Sequence, residues 1–244
     1  MRIIARLDIK NEHVIKGIHL EGLRKVGNPN ELALKYYSQG IDEIVFMDSV
    51  ASLYDRNNLF DIVKSACKDV FVPIALGGGI RTVEDVDAAL GSGADKVIIN
   101  TAAIRDITLV ERLAHKYGSQ CIVGSIEAKR NTSGWLAYTD NGREPSDYCA
   151  IEWARVLQDA GCGEIMITSV DKEGTRRGFD LDLILEIQES VSRPVIVSGG
   201  LGNREHLIDL CEKTVPSAVA VASALHYNIM DVDVIKKCCD RQVS

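Results

Sequence analysis

The sequence predicts a (βα)8 barrel, and three observations carry that prediction. Short β-branched apolar runs alternate with longer amphipathic stretches along the whole chain. Eight such pairs fit into 244 residues, close to the typical length of eight βα units. The chain also reads as two copies of one half. Gly78 and Gly79, after Val72-Pro73-Ile74-Ala75-Leu76-Gly77, match Gly199 and Gly200, after Arg193-Pro194-Val195-Ile196-Val197-Ser198, at an offset of 121 residues. Asp42-Glu43-Ile44-Val45 meets Gly163-Glu164-Ile165-Met166 at the same offset, and Ile99-Asn100-Thr101-Ala102 meets Val221-Ala222-Ser223-Ala224 one residue further on. Leu7-Asp8-Ile9-Lys10 meets Ile126-Glu127-Ala128-Lys129 at 119. The expected organisation is one barrel domain over residues 1–244, with half-barrels of about 1–120 and 121–244. An open doubly wound sheet would also alternate strands and helices, but it explains neither the repeat nor the even unit length.

Strands are expected at 3–8, 44–48, 72–76, 96–100, 121–126, 164–169, 194–198 and 218–222. Each is almost continuously apolar, as parallel strands buried on both faces are. Helices are expected at 30–39, 82–92, 146–160 and 180–190, with Gly40, Gly91 and Gly161 as stop signals. The stretch 19–27 reads as a long polar loop after the first strand. The stretch 131–143, with Gly134-Trp135 and Asp140-Asn141-Gly142, reads as a hairpin inserted at the same face.

Composition narrows the function. A hydrophobic content of 46% and a charged content of 26% are those of an ordinary soluble globular protein. A net charge of -7 argues against nucleic acid or an anionic membrane as partner. The seven cysteines include no Cys-x-x-Cys and no His at zinc-ligand spacing, so they read as free thiols in a reducing cytoplasm, with no metal and no cofactor implied. Met1-Arg2-Ile3-Ile4-Ala5-Arg6 is too charged for a signal peptide, and no run approaches a membrane span.

In such a barrel the chemistry lies at the C-terminal strand ends. Asp8 and Glu127 terminate the first and fifth strands, which face each other across the mouth. Two carboxylates so placed can serve as general acid and general base on one substrate, although pairing with Lys10, Lys16 or Lys129 would also explain them. Gly78-Gly79 and Gly199-Gly200 let backbone N–H groups approach an anion with no Cβ in the way. Asn100-Thr101 and Ala222-Ser223 each open a helix whose N-terminus favours phosphate. Ser198 ends the seventh strand, and the loop with Glu173, Gly174 and Thr175 lies beside the second cradle. The pattern suits an elongated substrate with a phosphate at each end. At the opposite face, Arg2 shares a side with Ile4, Arg6 and Asp8, while Glu43, Lys96 and Glu164 open strands two, four and six. A charged ring closing the barrel floor follows, either as a gate or as a purely structural network.

The motifs Arg2-Ile3-Ile4-Ala5-Arg6-Leu7-Asp8, Val14-Ile15-Lys16-Gly17, Gly77-Gly78-Gly79-Ile80, Gly93-Ala94-Asp95-Lys96-Val97, Asn100-Thr101-Ala102-Ala103 and Ser198-Gly199-Gly200 resemble the cyclase subunit of imidazole glycerol phosphate synthase from end to end. The resemblance implies a barrel partnered by a glutaminase at its floor. Ammonia would cross the lumen and react with the bis-phosphate phosphoribulosyl-formimino-aminoimidazole carboxamide ribonucleotide. Asp8 and Glu127 would be catalytic; Lys16 and the cradle residues would bind substrate. Arg2, Glu43, Lys96 and Glu164 would form the ammonia gate, and Asp95 would meet the glutaminase. Three departures stand out: Glu127 and Glu173 where the family has Asp, and Arg6 where it has a small residue. They leave open a paralogous role, in which the barrel feeds ammonia to a third enzyme that amidates a bacterial surface sugar. The sister isomerase of the same pathway has no glutaminase, so the floor ring argues against it.

Overall fold

The computed structural model describes residues 1–49 and 59–240. Twelve strands are present among them. In chain order they are β1 (Arg2–Lys10), β2 (His13–Ile18), β3 (Glu21–Gly27), β4 (Glu43–Asp48), β5 (Ile74–Gly77), β6 (Lys96–Ile99), β7 (Ile122–Asn131), β8 (Gly134–Thr139), β9 (Glu144–Cys149), β10 (Glu164–Ser169), β11 (Val195–Ser198) and β12 (Ala218–Val221). Eight of these form a closed parallel barrel in the order β1, β4, β5, β6, β7, β10, β11, β12, with β12 pairing back onto β1. Closure leaves the barrel no free edge. β1 and β7 stand four places apart, so they face each other, as the repeat requires.

Alternation along each barrel strand divides the apolar residues into two cores. Ile3, Ala5 and Leu7 point outward and join the layer under the helices. Ile4 points inward and meets Val45, Ala75, Ile98, Val123, Met166, Ile196, Ala218 and Ala220 in a separate apolar ring inside the lumen.

The helices are α1 (Pro29–Ser38), α2 (Leu59–Ala66), α3 (Val83–Gly91), α4 (Thr101–Arg105), α5 (Thr108–Tyr117), α6 (Ala150–Asp159), α7 (Leu181–Ser190), α8 (Arg204–Lys213), α9 (Ser223–His226) and α10 (Val232–Asp240). Their starts follow the sequence chemistry. Asn28 caps α1, with Pro29 at its first position, and Thr82 with Asp85 forms a capping box at α3. No helix among the described residues is long and apolar enough to cross a membrane.

Two local expectations are corrected. Residues 146–149 are strand rather than helix, because Leu136, Tyr138 and Thr139 of β8 pair with β9 and draw it into the sheet. The helix begins only at Ala150. Gly91 is the last residue of α3, as expected, and the left-handed residue that follows it is Gly93, at φ 107°. The stretch 19–27 is not a loop: β3 pairs with β2, which pairs with β1, so a hairpin rises over the first strand. The inserted hairpin at 131–143 is present as the β7–β8–β9 ribbon.

Gly78 shows how tightly this frame sets the mouth. Its φ is 85°, and a Cβ there would lie 2.2 Å from the Asp48 carbonyl oxygen. Gly78→Ala is expected to cost about 2 kcal/mol or more in chemical denaturation, with the barrel's circular dichroism otherwise retained.

Candidate active site

All four glycines of the two Gly-Gly turns have positive φ. Gly78 and Gly79 have φ of 85° and 76°; Gly199 and Gly200 have 99° and 105°. The residues opening the two short helices also agree, with Asn100 at φ -124°, ψ -85° and Ala222 at φ -122°, ψ -79°. The cradles differ in space. Gly78, Gly79, Asn100 and Thr101 line a cavity of about 540 Å³ that also reaches Glu127. Gly174, Gly199, Gly200, Ala222 and Ser223 line one of about 20 Å³, walled by Glu173.

Glu127 is fixed by its neighbours. Its Oε2 accepts from Asn100 Nδ2 at 3.1 Å and from the Gly142 N–H at 2.8 Å. Burial pushes its carboxyl up to about 7, although Arg6 and the Gly142 N–H pull the other way. Asp8 is tuned oppositely. Burial alone would raise it, but Arg6 and Lys16 outweigh burial and hold it at about 2. Arg6 Nε donates to Asp8 at 2.8 Å, and Lys16 Nζ donates at 3.1 Å. One carboxylate is therefore permanently ionised and the other exchanges a proton near neutrality. Environments that separate two carboxyl groups in this way assign them different acid–base tasks.

Several expected binders are placed differently from one another. Lys16 lines neither cradle; it is buried between Asp8 and Glu173, in ion pairs with both. Burial would lower its ammonium, but Glu173 and then Asp8 raise it above the ordinary range. Ser198 turns its hydroxyl to Arg6 Nη1 at 3.4 Å. Thr175 donates to the Lys172 carbonyl at 2.7 Å within its own turn and lies outside the second cradle's lining. Thr101 accepts from the Asp140 N–H at 3.1 Å.

Residues the sequence did not single out complete the first cavity. Arg81 and Arg105 bring cations to its lining. Asn141, at φ 60°, brings a buried Nδ2 with no partner among the described residues, and Asn100 brings a buried Oδ1 in the same state. A buried unpaired donor and acceptor beside one cavity mark a polar ligand site. Asp140-Asn141-Gly142 carries a recognisable turn signal, but nothing local shows that the turn folds back over Glu127. His226 is a second omission. Its Nδ1 lies 2.8 Å from the Tyr36 hydroxyl, and burial, with Lys16 adding to it, lowers its pKa to about 4, so the ring is neutral.

At the floor the four expected charges form a closed ring. Arg2 pairs with Glu43 at 2.7 Å and with Glu164. Lys96 reaches Glu43 at 3.0 Å and Glu164 at 2.9 Å. Burial pushes the Glu43 carboxyl up against the pull of Lys96 and Arg2. Asp95 is partly committed elsewhere, since its Oδ2 accepts from the Ile74 N–H at 2.8 Å and staples β5 to β6.

The sequence matches the family described as "Histidine biosynthesis protein" over residues 2–231. The chain belongs to that family. Among its relatives, "Imidazole glycerol phosphate synthase subunit HisF" of Legionella pneumophila is 57% identical over 206 residues, 84% of this chain and 97% of the relative. The protein of the same name from Myxococcus xanthus is 43% identical over 96% of this chain and 93% of its own length. That of Dehalococcoides mccartyi strain 195 is 43% identical over 97% and 93%. Membership accounts for the barrel and for the motifs at its strand ends. It does not by itself account for the Arg6–Asp8 pair.

Two measurements check the electrostatics. Arg6→Met strands Asp8 with a single cation, and is expected to cost roughly 3 kcal/mol in urea unfolding at neutral pH. For Glu127, the folded pKa of about 7 lies above the ordinary 4.5. The folded state therefore keeps a proton that the unfolded chain has released, and stability falls as pH rises through that window. Relative to Glu127→Gln, the wild type should lose on the order of 3 kcal/mol between pH 4.5 and 7.5. Parallel stability curves for the two proteins would contradict the assignment.

Proposed function

We propose that this chain is the cyclase subunit of imidazole glycerol phosphate synthase. It uses ammonia from a glutaminase partner to convert phosphoribulosyl-formimino-aminoimidazole carboxamide ribonucleotide into imidazole glycerol phosphate and aminoimidazole carboxamide ribonucleotide, with loss of water. The observation that carries the reading is the opposed pair Asp8 and Glu127, one fixed as a carboxylate and one titrating near neutrality, at the mouth of a barrel of this family. Condensing ammonia with a ketone expels water, and releasing an amine needs a second proton. Glu127 is the group able to deliver and retrieve those protons at neutral pH. Asp8 stabilises cationic character in the substrate beside it.

The other roles follow the same reading. Gly78, Gly79, Asn100 and Thr101 bind one terminal phosphate, with Arg81 and Arg105 as nearby cations. Gly174, Gly199, Gly200, Ala222 and Ser223 bind the other, and Glu173 holds Lys16 next to Asp8. Arg2, Glu43, Lys96 and Glu164 gate ammonia at the floor. On that face Phe71 and Val215, in loops leading into strand N-termini, are 75% and 72% exposed.

The test is turnover of the bis-phosphate substrate with ammonium salt at alkaline pH, with no glutaminase present. Free ammonia then reaches the mouth from solution. Turnover that Asp8→Asn reduces by about a hundredfold or more is expected. No turnover, while inorganic phosphate still binds the barrel, would overturn the reading in favour of ammonia supply for surface-sugar amidation.

A further inference from the structure

Arg6 occupies a place inside the barrel that nothing in the reaction assigns. Its side chain is 2% exposed and points inward, between the apolar ring containing Ile4 and the carboxylate of Asp8. The guanidinium does not stay beside its own strand. Its Nη1 reaches Thr168 Oγ1 on β10 at 3.0 Å and Ser198 Oγ on β11 at 3.4 Å. β10 is three places from β1 in an eight-stranded ring, so Arg6 spans the lumen beneath the second cradle.

The opposite side borders the large cavity of the first cradle, whose lining includes Ser125, Met47 and Ile98 as well as Glu127. Ile98 belongs to the apolar ring itself, and Met47 packs against that ring. An apolar layer of this kind opposes the passage of ions far more than that of a small neutral molecule. The lumen therefore has a side occupied by Arg6, under β10 and β11, and a side that borders the mouth cavity, between β4 and β7.

We propose that Arg6 sets the exit of the lumen: it blocks the β10–β11 side, so that ammonia emerges past Met47, Ile98 and Ser125 at Glu127 and not at Asp8. The inference rests on the reading that ammonia crosses this barrel. It makes Arg6 a positioning residue that chooses which carboxylate meets the incoming nitrogen. It also gives Glu127, the carboxyl that can accept a proton near neutrality, the attack of ammonia to assist.

The experiment compares glutamine-driven with ammonium-driven turnover in the complex with the glutaminase. The ratio of the two cancels any effect of a substitution on the chemistry at the mouth. Ser125→Leu places bulk on the side that borders the mouth cavity and is expected to lower the ratio roughly tenfold or more. Adding Arg6→Ala to Ser125→Leu opens the other side and should restore most of it. Adding Arg6→Met, which loses the charge but keeps the bulk, should not. A ratio unchanged by Ser125→Leu, or one that Arg6→Ala fails to restore, overturns the exit while leaving the cyclase reading intact. Absence of ammonium-driven turnover in every variant removes that reading, and the exit with it. A measurement on the wild-type barrel alone guards against misfolded variants. The Arg6 Nε–H should give an NMR signal exchanging with water roughly a hundredfold more slowly than exposed arginines. Exchange as fast as theirs would mean that the side chain is not seated, and would end the proposal.

Discussion

The two-residue period of the barrel strands is the constraint on which the rest depends. It sends every second side chain into the lumen. On β1 that row reads Arg2, Ile4, Arg6, Asp8, and it passes through four environments in turn. Arg2 lies in the floor ring, Ile4 in the apolar layer, Arg6 in the lumen and Asp8 at the mouth. A one-residue slip would exchange this row with Ile3, Ala5 and Leu7 and turn charges into the helix layer. Register is held by six paired positions between β1 and β4 and by four between β1 and β12.

Burying Arg6, Asp8, Lys16 and Glu173 together is costly unless each finds partners. The structure supplies them in a chain: Thr168 and Ser198 on Arg6, Arg6 on Asp8, Asp8 on Lys16, Lys16 on Glu173. Two cations and two carboxylates balance, which keeps Asp8 ionised. Glu127 lies outside this chain. It has hydrogen bonds from Asn100 and Gly142 but no direct ion pair among the described residues, so burial prevails and its proton is held to near neutrality. The asymmetry between the halves thus comes from partners, while the backbone agrees between the halves at Asn100 and Ala222.

Glu127 and Glu173 are each one methylene longer than the aspartates the family resemblance implies. Both are seated rather than displaced: Glu127 accepts two hydrogen bonds, and Glu173 completes the pairing of a buried lysine. Arg6 is the larger change, because a guanidinium in the lumen alters both the charge beneath the mouth and the free space through which a small molecule can move.

The sequence by itself determined the barrel, the order of its eight parallel strands, the opposition of Asp8 and Glu127, and the four members of the floor ring. These follow from periodicity, which operates within a few residues, and from the repeat, which places equivalent strand ends opposite each other. Only the tertiary structure decided the rest. Ser146 to Cys149 could be read as the start of a helix until β8 claimed them as a strand. Lys16 could be read as a substrate ligand or as a partner of Asp8; the structure pairs it with Asp8 and adds Glu173, 157 residues away, which nothing local foreshadows. Arg6 has its partners, Asp8 through Nε and the hydroxyls of Thr168 and Ser198 through Nη1, only once β10 and β11 close the barrel around it. The different ionisation of the two carboxyls also has no local signature. It depends on which distant donors and cations the closed barrel brings within hydrogen-bonding reach, and on how completely it removes water.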